Sequence, residues 1–207
     1  MKLIFAPPSV DDLIHLLRAW RFWLLGAVVG ALVGAAVYYV NPPPYRARAT
    51  VNVDFHLEQA WPQNSDREQF YYLERETRKL EEVAMSDAVL GVVVTQVPGA
   101  SLDQLRGGAL VLSQPGNGGW HFFADGRDPK RAAALASAWA EAFANQVQKQ
   151  VAAAPAGGLE PFITADPVQV DGITAQRTLS LSLYLLAGAI VFLALAILVV
   201  LFLHTAA

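Results

Sequence analysis

Two uninterrupted apolar runs lie near the ends of the chain, and between them apolar residues recur only at the spacings of amphipathic elements. The first run covers residues 23–40 (WLLGAVVGALVGAAVYYV) and the second residues 179–203 (LSLSLYLLAGAIVFLALAILVVLFL); neither contains a charge. A bilayer core of about 30 Å takes about 20 apolar residues in helical form, so each run is long enough to span one. The pattern predicts five regions. They are an amphipathic N-terminal segment (1–22), transmembrane helix 1 (23–40), an extracytoplasmic domain (41–178), transmembrane helix 2 (179–203) and a short tail (204–207).

The middle region reads as α+β, with a small sheet and an Ala-rich amphipathic helix. Asn41-Pro42-Pro43-Pro44 stops the first helix and makes a stiff exit. Tyr45, Ala47, Ala49, Val51, Val53 and Phe55 then alternate with polar residues, which predicts a half-buried strand. Ser65-Asp66-Arg67-Glu68 has the pattern of a capping box, and Phe70, Leu73, Thr77, Leu80 and Ala84 follow at helical steps, with Glu74 and Arg78 as an i,i+4 pair. Ser86 caps a short helix that runs to Val97 and ends at Pro98-Gly99. A further turn at 101–106, a strand at 108–113, a turn at 114–119 and a returning strand at 120–124 come next. Asp128-Pro129 supplies an N-cap and a proline at the first helical position. The helix that follows places Leu135, Trp139, Phe143, Val147 and Val151 on one stripe and stops in 154–158. Residues 162–170 read as a last strand.

Composition and charge sharpen this picture. Only 16% of residues are charged and 54% are hydrophobic; a soluble domain has roughly 25% charged, and the apolar excess sits in the two end runs. The net charge of −3 argues against nucleic acid as a partner. Lys2, Arg18 and Arg21 precede the first run, and positive charges close to a span stay cytoplasmic. Both ends are therefore expected in the cytoplasm and the domain outside it, in the cytoplasmic (inner) membrane. The run is longer than the apolar region of a cleaved signal peptide. Within it, Gly26, Gly30 and Gly34 form one stripe of the small-xxx-small kind, a packing face for either the second run or a neighbouring copy. The second run offers Gly188 between Ala187 and Ala189. With no ionisable residue inside either run, transport by this chain alone is disfavoured.

Candidate chemistry is sparse. There are no cysteines, which excludes disulfides and thiol catalysis. His15, His56, His121 and His204 are scattered without metal-ligand spacing, and His121 alternates with Trp120 and Phe122 as a packed or surface residue would. Ser65, Ser86 and Ser101 read as helix caps. Glu81 and Glu82 are adjacent on a helix and diverge by about 100°, unlike an acid/base pair. The glycines of 114–119 lack the lysine and helix of a phosphate loop. No catalytic, cofactor-binding or metal site is expected. Trp61, Tyr71 and Arg75 are surface residues able to meet sugar or a neighbouring copy, with solvated helix surface as the alternative.

The order of these elements carries a resemblance. An amphipathic leading segment (VDDLIHLLRAWRFW), a span, Tyr45-Arg46-Ala47, then EEVAMSDAVLGVVVTQV, a strand–turn–strand, DGRDPKRAAALASAWAEAFANQV, a Pro-containing strand and a second span resemble the Wzz chain-length determinants, the polysaccharide co-polymerases, over nearly the whole chain. The resemblance implies a non-enzymatic membrane scaffold. It would oligomerise and act with a polysaccharide polymerase or export machinery, in contact with membrane lipid and lipid-linked glycan, to set chain length in O-antigen, capsule or exopolysaccharide synthesis. The chain departs from the family in having only Pro161 and Pro167, then Asp171-Gly172, where more prolines are expected. Its domain is short, and its tail is too short to engage a kinase. An accessory subunit of a larger membrane complex and an extracytoplasmic ligand-binding sensor are the other readings.

Overall fold

The computed structural model describes residue 14 and residues 18–60, 66–114, 119–153 and 159–206, with the backbone alone at 59, 60, 66–68, 201 and 203–206. In chain order the elements are α1 (Trp20–Val40), β1 (Tyr45–Asp54), α2 (Leu57–Ala60), α3 (Asp66–Ala84), α4 (Asp87–Gln96), α5 (Leu102–Gln104), a wide turn at Leu105–Ala109, β2 (Leu110–Ser113), β3 (Gly119–Gly126), α6 (Pro129–Ala153), β4 (Thr164–Gln169), β5 (Gln176–Arg177) and α7 (Leu181–Ala206). They divide into two units: Met1–Pro43 with Leu179–Ala207, and Pro44–Thr178. The expected mixture of helix and sheet is present.

The first unit is a helix pair. Trp20–Val40 and Leu181–Val200 are both long and apolar enough to cross a membrane. The first begins three residues before its predicted start, because Trp20, Arg21 and Phe22 continue the helix without a break.

The second unit is a five-stranded antiparallel sheet with helices on one face. The strand order is β2-β3-β1-β4, and β5 pairs with β1. β1 is central: β3 runs along one edge from Tyr45↔Gly126 to Asn52↔Gly119, while β5 (Tyr45↔Arg177) and β4 (Asp54↔Thr164) share the other. The register of β4 shifts between Thr50 and Val51, beside Pro167, which a central strand would not tolerate but an edge strand does. Ala47, Ala49, Val51 and Val53 are buried as their alternation predicts. β1 ends where the Asp54 carboxylate accepts from the His56 amide at 2.8 Å, in a turn that puts His56 at φ +42°.

α6 covers the sheet. Its predicted stripe is buried at Leu135, Trp139, Phe143 and Val147, and half-buried at Val151. Alanines 132, 136, 140 and 144 let it approach the sheet closely. The approach is tightest at Gly126, where a Cβ would lie 2.9 Å from the Ala132 amide nitrogen. The core centres on aromatics: Phe122 meets Trp139 edge-on at 4.8 Å, and Phe143 stacks on Trp120 at 5.6 Å. Trp139 Nε1 donates to the Ala84 carbonyl at 2.8 Å, tying α6 to the end of α3. The caps behave as expected: Ser86 Oγ accepts from the Val89 amide and Asp128 Oδ1 from the Arg131 amide at 2.9 Å.

Several expectations need correction. The stripe on α3 is as expected only in part: Leu80 and Ala84 are buried and Leu73 and Thr77 half-buried, but the other buried positions are Tyr72, Glu76 and Val83, and Phe70 is 63% exposed. A glutamate on the inner face is what hides this stripe from a hydrophobic pattern. The 108–113 strand begins at Leu110, because Gly108 adopts φ +100° in the wide turn. The short elements α2 and β5 were not anticipated; each is too brief to show a periodicity. The 65–68 box, the inner part of the 114–119 turn, the 154–158 stop and most of 1–22 lie outside the described residues.

Replacing Trp139 by alanine is expected to destabilise the domain by about 3–5 kcal/mol through lost contacts and a cavity. Trp139→Phe should cost about 1–3 kcal/mol, mainly from leaving the Ala84 carbonyl unpaired. Denaturant unfolding of the full chain distinguishes them, and equal stability of all three proteins would contradict the core assignment.

Candidate functional site

The three glycines of α1 face α7. Gly30 and Gly34 are buried and Gly26 is half-buried. A Cβ at Gly26 would stand 2.7 Å from Ala196 Cβ, one at Gly30 would overlap the Gly188 carbonyl oxygen, and one at Gly34 would overlap the Tyr184 carbonyl oxygen. Partner numbers fall along α7 as they rise along α1, so the helices are antiparallel. Gly188 returns the contact, since its own Cβ would overlap the Gly30 carbonyl oxygen. Close backbone approach through small residues is the means by which helices associate in lipid, where the hydrophobic effect gives no drive between them. At the far end of this seam Tyr38 meets Tyr184 edge-on at 5.4 Å. The stripe that the sequence offered to either the second run or another copy is thus used within the chain.

A second cluster lies on α3. Glu76 is the buried charged side chain among the described residues, at 0% exposure. Arg75 Nε donates to its Oε1 at 2.8 Å and Lys79 Nζ does so at 2.9 Å, while Oε2 has no hydrogen-bond partner. Arg75 also reaches Glu160 at 3.1 Å, which ties the chain after α6 to α3. Tyr72, one turn before Glu76, is buried beneath the Arg75 guanidinium. Burial, and then the Glu76 charge, push its hydroxyl up to about 12. Hydrogen bonding to Glu76 in turn raises Arg75. The arrangement is that of a structural ion cluster, a carboxylate neutralised by two cations, and beside it lies an open surface groove of about 400 Å³ lined by Tyr71, Glu74, Arg75, Arg78, Lys79 and Glu82.

The other candidates separate. Tyr71 is exposed, Arg75 is engaged as above, and Trp61 lies outside the described residues. His121 Nδ1 lies 3.3 Å from Thr50 Oγ1 on the sheet face away from α6. Burial, and then Arg48, hold it below the usual histidine range. His56 Nδ1 lies 2.8 Å from the Phe162 carbonyl. Glu81 accepts from Gln114 at 2.6 Å and makes no pair with Glu82. Among the described residues no three His, Asp or Glu side chains are grouped to hold a metal. Sequence reasoning missed Glu76, which hydropathy alone does not mark as an inner-face residue; Tyr71 and Tyr72 read there as core or flank beside the stripe, and Tyr72 is buried. No protein-family model matches the chain, and no curated protein matches it.

Two outcomes follow for these residues. Gly30→Leu, which places a side chain where the Gly188 carbonyl oxygen lies, should lower the thermal stability of the helix pair in detergent, whereas Leu25→Ala on the exposed side should not; an unchanged melting temperature in Gly30→Leu would refute the helix contact. For Tyr72, a hydroxyl raised in the folded state contributes stability that is complete below pH 10 and is lost as pH climbs toward about 12. A phenolate absorbance titration should therefore show a late component that Tyr72→Phe removes; a profile identical in both proteins would contradict it.

Proposed function

We propose that this chain is an integral protein of the cytoplasmic membrane in which α1 and α7 span the bilayer, both ends lie in the cytoplasm and the Pro44–Thr178 unit lies outside. In this reading it acts as a non-enzymatic scaffold. It regulates chain length or export of a surface polysaccharide by oligomerising and working with a polymerase or export machinery on lipid-linked glycan.

The observation that carries the membrane part is how the middle unit closes. Its first strand pairs with its last, Tyr45 against Arg177, and the Thr178 amide donates to the Pro44 carbonyl at 3.0 Å. The two points at which the chain leaves the domain are therefore neighbours, as a helical hairpin with an inserted domain requires. Each leads within a few residues to a helix long and apolar enough to cross a bilayer. The polysaccharide part rests on the resemblance to the Wzz co-polymerases in the order of elements. The segment containing Ser86 and the helix start Asp128-Pro129-Lys130-Arg131-Ala132-Ala133 are its most specific matches in sequence. Function through surfaces also suits a domain whose buried charge is spent on structure.

One observation favours a second reading. With the glycine stripe engaged by α7, the most evident reason for self-association is removed, which fits a single-copy accessory subunit of a larger membrane complex.

Deleting the gene in its host and sizing the surface polysaccharide on a gel tests the first reading. A shifted or collapsed chain-length distribution, restored by the wild-type gene, is expected, with the protein resisting alkaline extraction from membranes. An unchanged distribution would overturn the polysaccharide role, and extraction into the soluble fraction would overturn the membrane reading.

A further inference from the structure

The apolar length of the helix pair ends in aromatic rings on both sides, and the rings of α1 and α7 stand level with one another. At one end Tyr38 meets Tyr39 edge-on at 5.6 Å and Tyr184 of α7 at 5.4 Å. At the other end Trp20 is exposed, as is Phe202 of α7. The antiparallel contact fixes their heights. Gly26 stands against Ala196, so Trp20, six residues earlier, is level with Phe202, six residues later.

Between these rings, residues 24–37 of α1 and 185–201 of α7 carry no polar side chain. Leu25, Leu32 and Val37 point outward from α1, and Leu186, Ile190 and Leu198 from α7. Past the rings the character changes within one turn. Asn41, Pro42 and Pro43 follow the tyrosines of α1. Ser180 and Ser182 share a hydrogen bond at 2.8 Å just before Tyr184. Arg18 and Arg21 flank Trp20, and the Arg21 guanidinium lies over the Trp20 ring at 5.7 Å.

Tryptophan and tyrosine join an apolar ring to one polar group, so they settle where hydrocarbon gives way to headgroups. At 1.5 Å per residue, Trp20 to Tyr39 is about 28 Å and Tyr184 to Phe202 about 27 Å. The two helices thus give the same thickness. It is slightly below the roughly 30 Å of an average hydrocarbon core and well below that of a sterol-rich membrane. We propose that these two aromatic belts are a lipid-recognition surface that seats the helix pair in a bilayer with a hydrocarbon core of about 27 Å. Headgroups then lie at Arg18 and Arg21 on one side and at Ser180 and Ser182 on the other. The proposal rests on α1 and α7 being membrane spans, and adds where the interfaces fall. It places Ser182 outside the hydrocarbon, although the apolar run begins at residue 179.

The chain has no cysteine, so single cysteines report depth. Asn41→Cys, Ser182→Cys, Leu32→Cys and Leu186→Cys, each in the full chain, are reconstituted in permeabilised phosphatidylcholine vesicles and treated with a charged maleimide. Hydrocarbon excludes the charged reagent, so Asn41→Cys and Ser182→Cys should react about tenfold faster than the other two, or more. Similar rates at all four positions would overturn membrane insertion and the belts with it. Slow reaction at Ser182→Cys as well as at the two leucine positions would leave insertion standing and overturn the belts. Thickness is read by quenching of Trp20 and Trp23 with brominated phosphatidylcholines of different chain length in competition. Binding should be strongest for the lipid whose core is nearest to about 27 Å and fall several-fold for the longest chains, a preference that Tyr39→Leu weakens. Equal binding of all lengths by wild type, or an unchanged preference in Tyr39→Leu, would overturn recognition by the rings.

Discussion

β1 accepts and donates hydrogen bonds along both of its edges, and most of the domain depends on that. One edge is taken by β3 for almost its full length, and the other is divided between β4 and β5. A strand in this position sets the register of the strands on both sides. It must also present alternate side chains to opposite environments: small and branched residues toward α6, arginines and polar residues toward water. The alanines at 47 and 49 allow Trp120, Phe122, Trp139 and Phe143 to fill the space between sheet and helix. Larger residues there would force the aromatic cluster off its edge-on and stacked contacts. Because β1 is also the first element after the triproline exit, its pairing with β5 decides that the domain begins and ends at one place.

How much of this could be read in advance depends on length and period. The 25 residues of α6, with a stripe every fourth position and an Asp-Pro start, left little choice, and the alternation of β1 left none. Each of these signals is repeated several times along one element, so a single exception does not mislead. The α3 stripe was misplaced for the opposite reason: its inner face contains Glu76 and Tyr72, so a reading by hydrophobicity moved the stripe toward Phe70, which is exposed. Arg75 and Lys79 pair with Glu76 from the same helix, at i−1 and i+3, and were there to be read, but that this side of the helix packs inward is a tertiary circumstance that no single-sequence period records. β5 has two residues and exists only because β1 presents a free edge next to it. The glycine stripe was legible as a packing face, but its partner was not, since small residues on one helix do not say which helix approaches.

The answer to that last question limits how copies of this chain can meet. A GxxxG face is shaped for one neighbour, and α7 occupies it with carbonyl groups too close to admit even a methyl group. The remaining surfaces of the pair carry large apolar side chains such as Leu25, Leu32, Leu186 and Ile190, all largely exposed. Such surfaces suit lipid, and they offer a second copy no close backbone approach.

The two faces of the sheet also differ in what they can offer. The inner face is committed: its alanines, valines and most of its aromatics are buried, and no charged side chain reaches it from β1 or β3. The outer face holds Arg46, Arg48, Thr50, Asn52, His121 and Asp125, most of them partly or fully exposed. It gains from its partners what a bare polar surface lacks, namely orientation, through the Asp125 fork and the ring of Phe123. Substitutions on one face leave the contacts of the other in place, so the packing of the core and the chemistry of the outer surface can change independently.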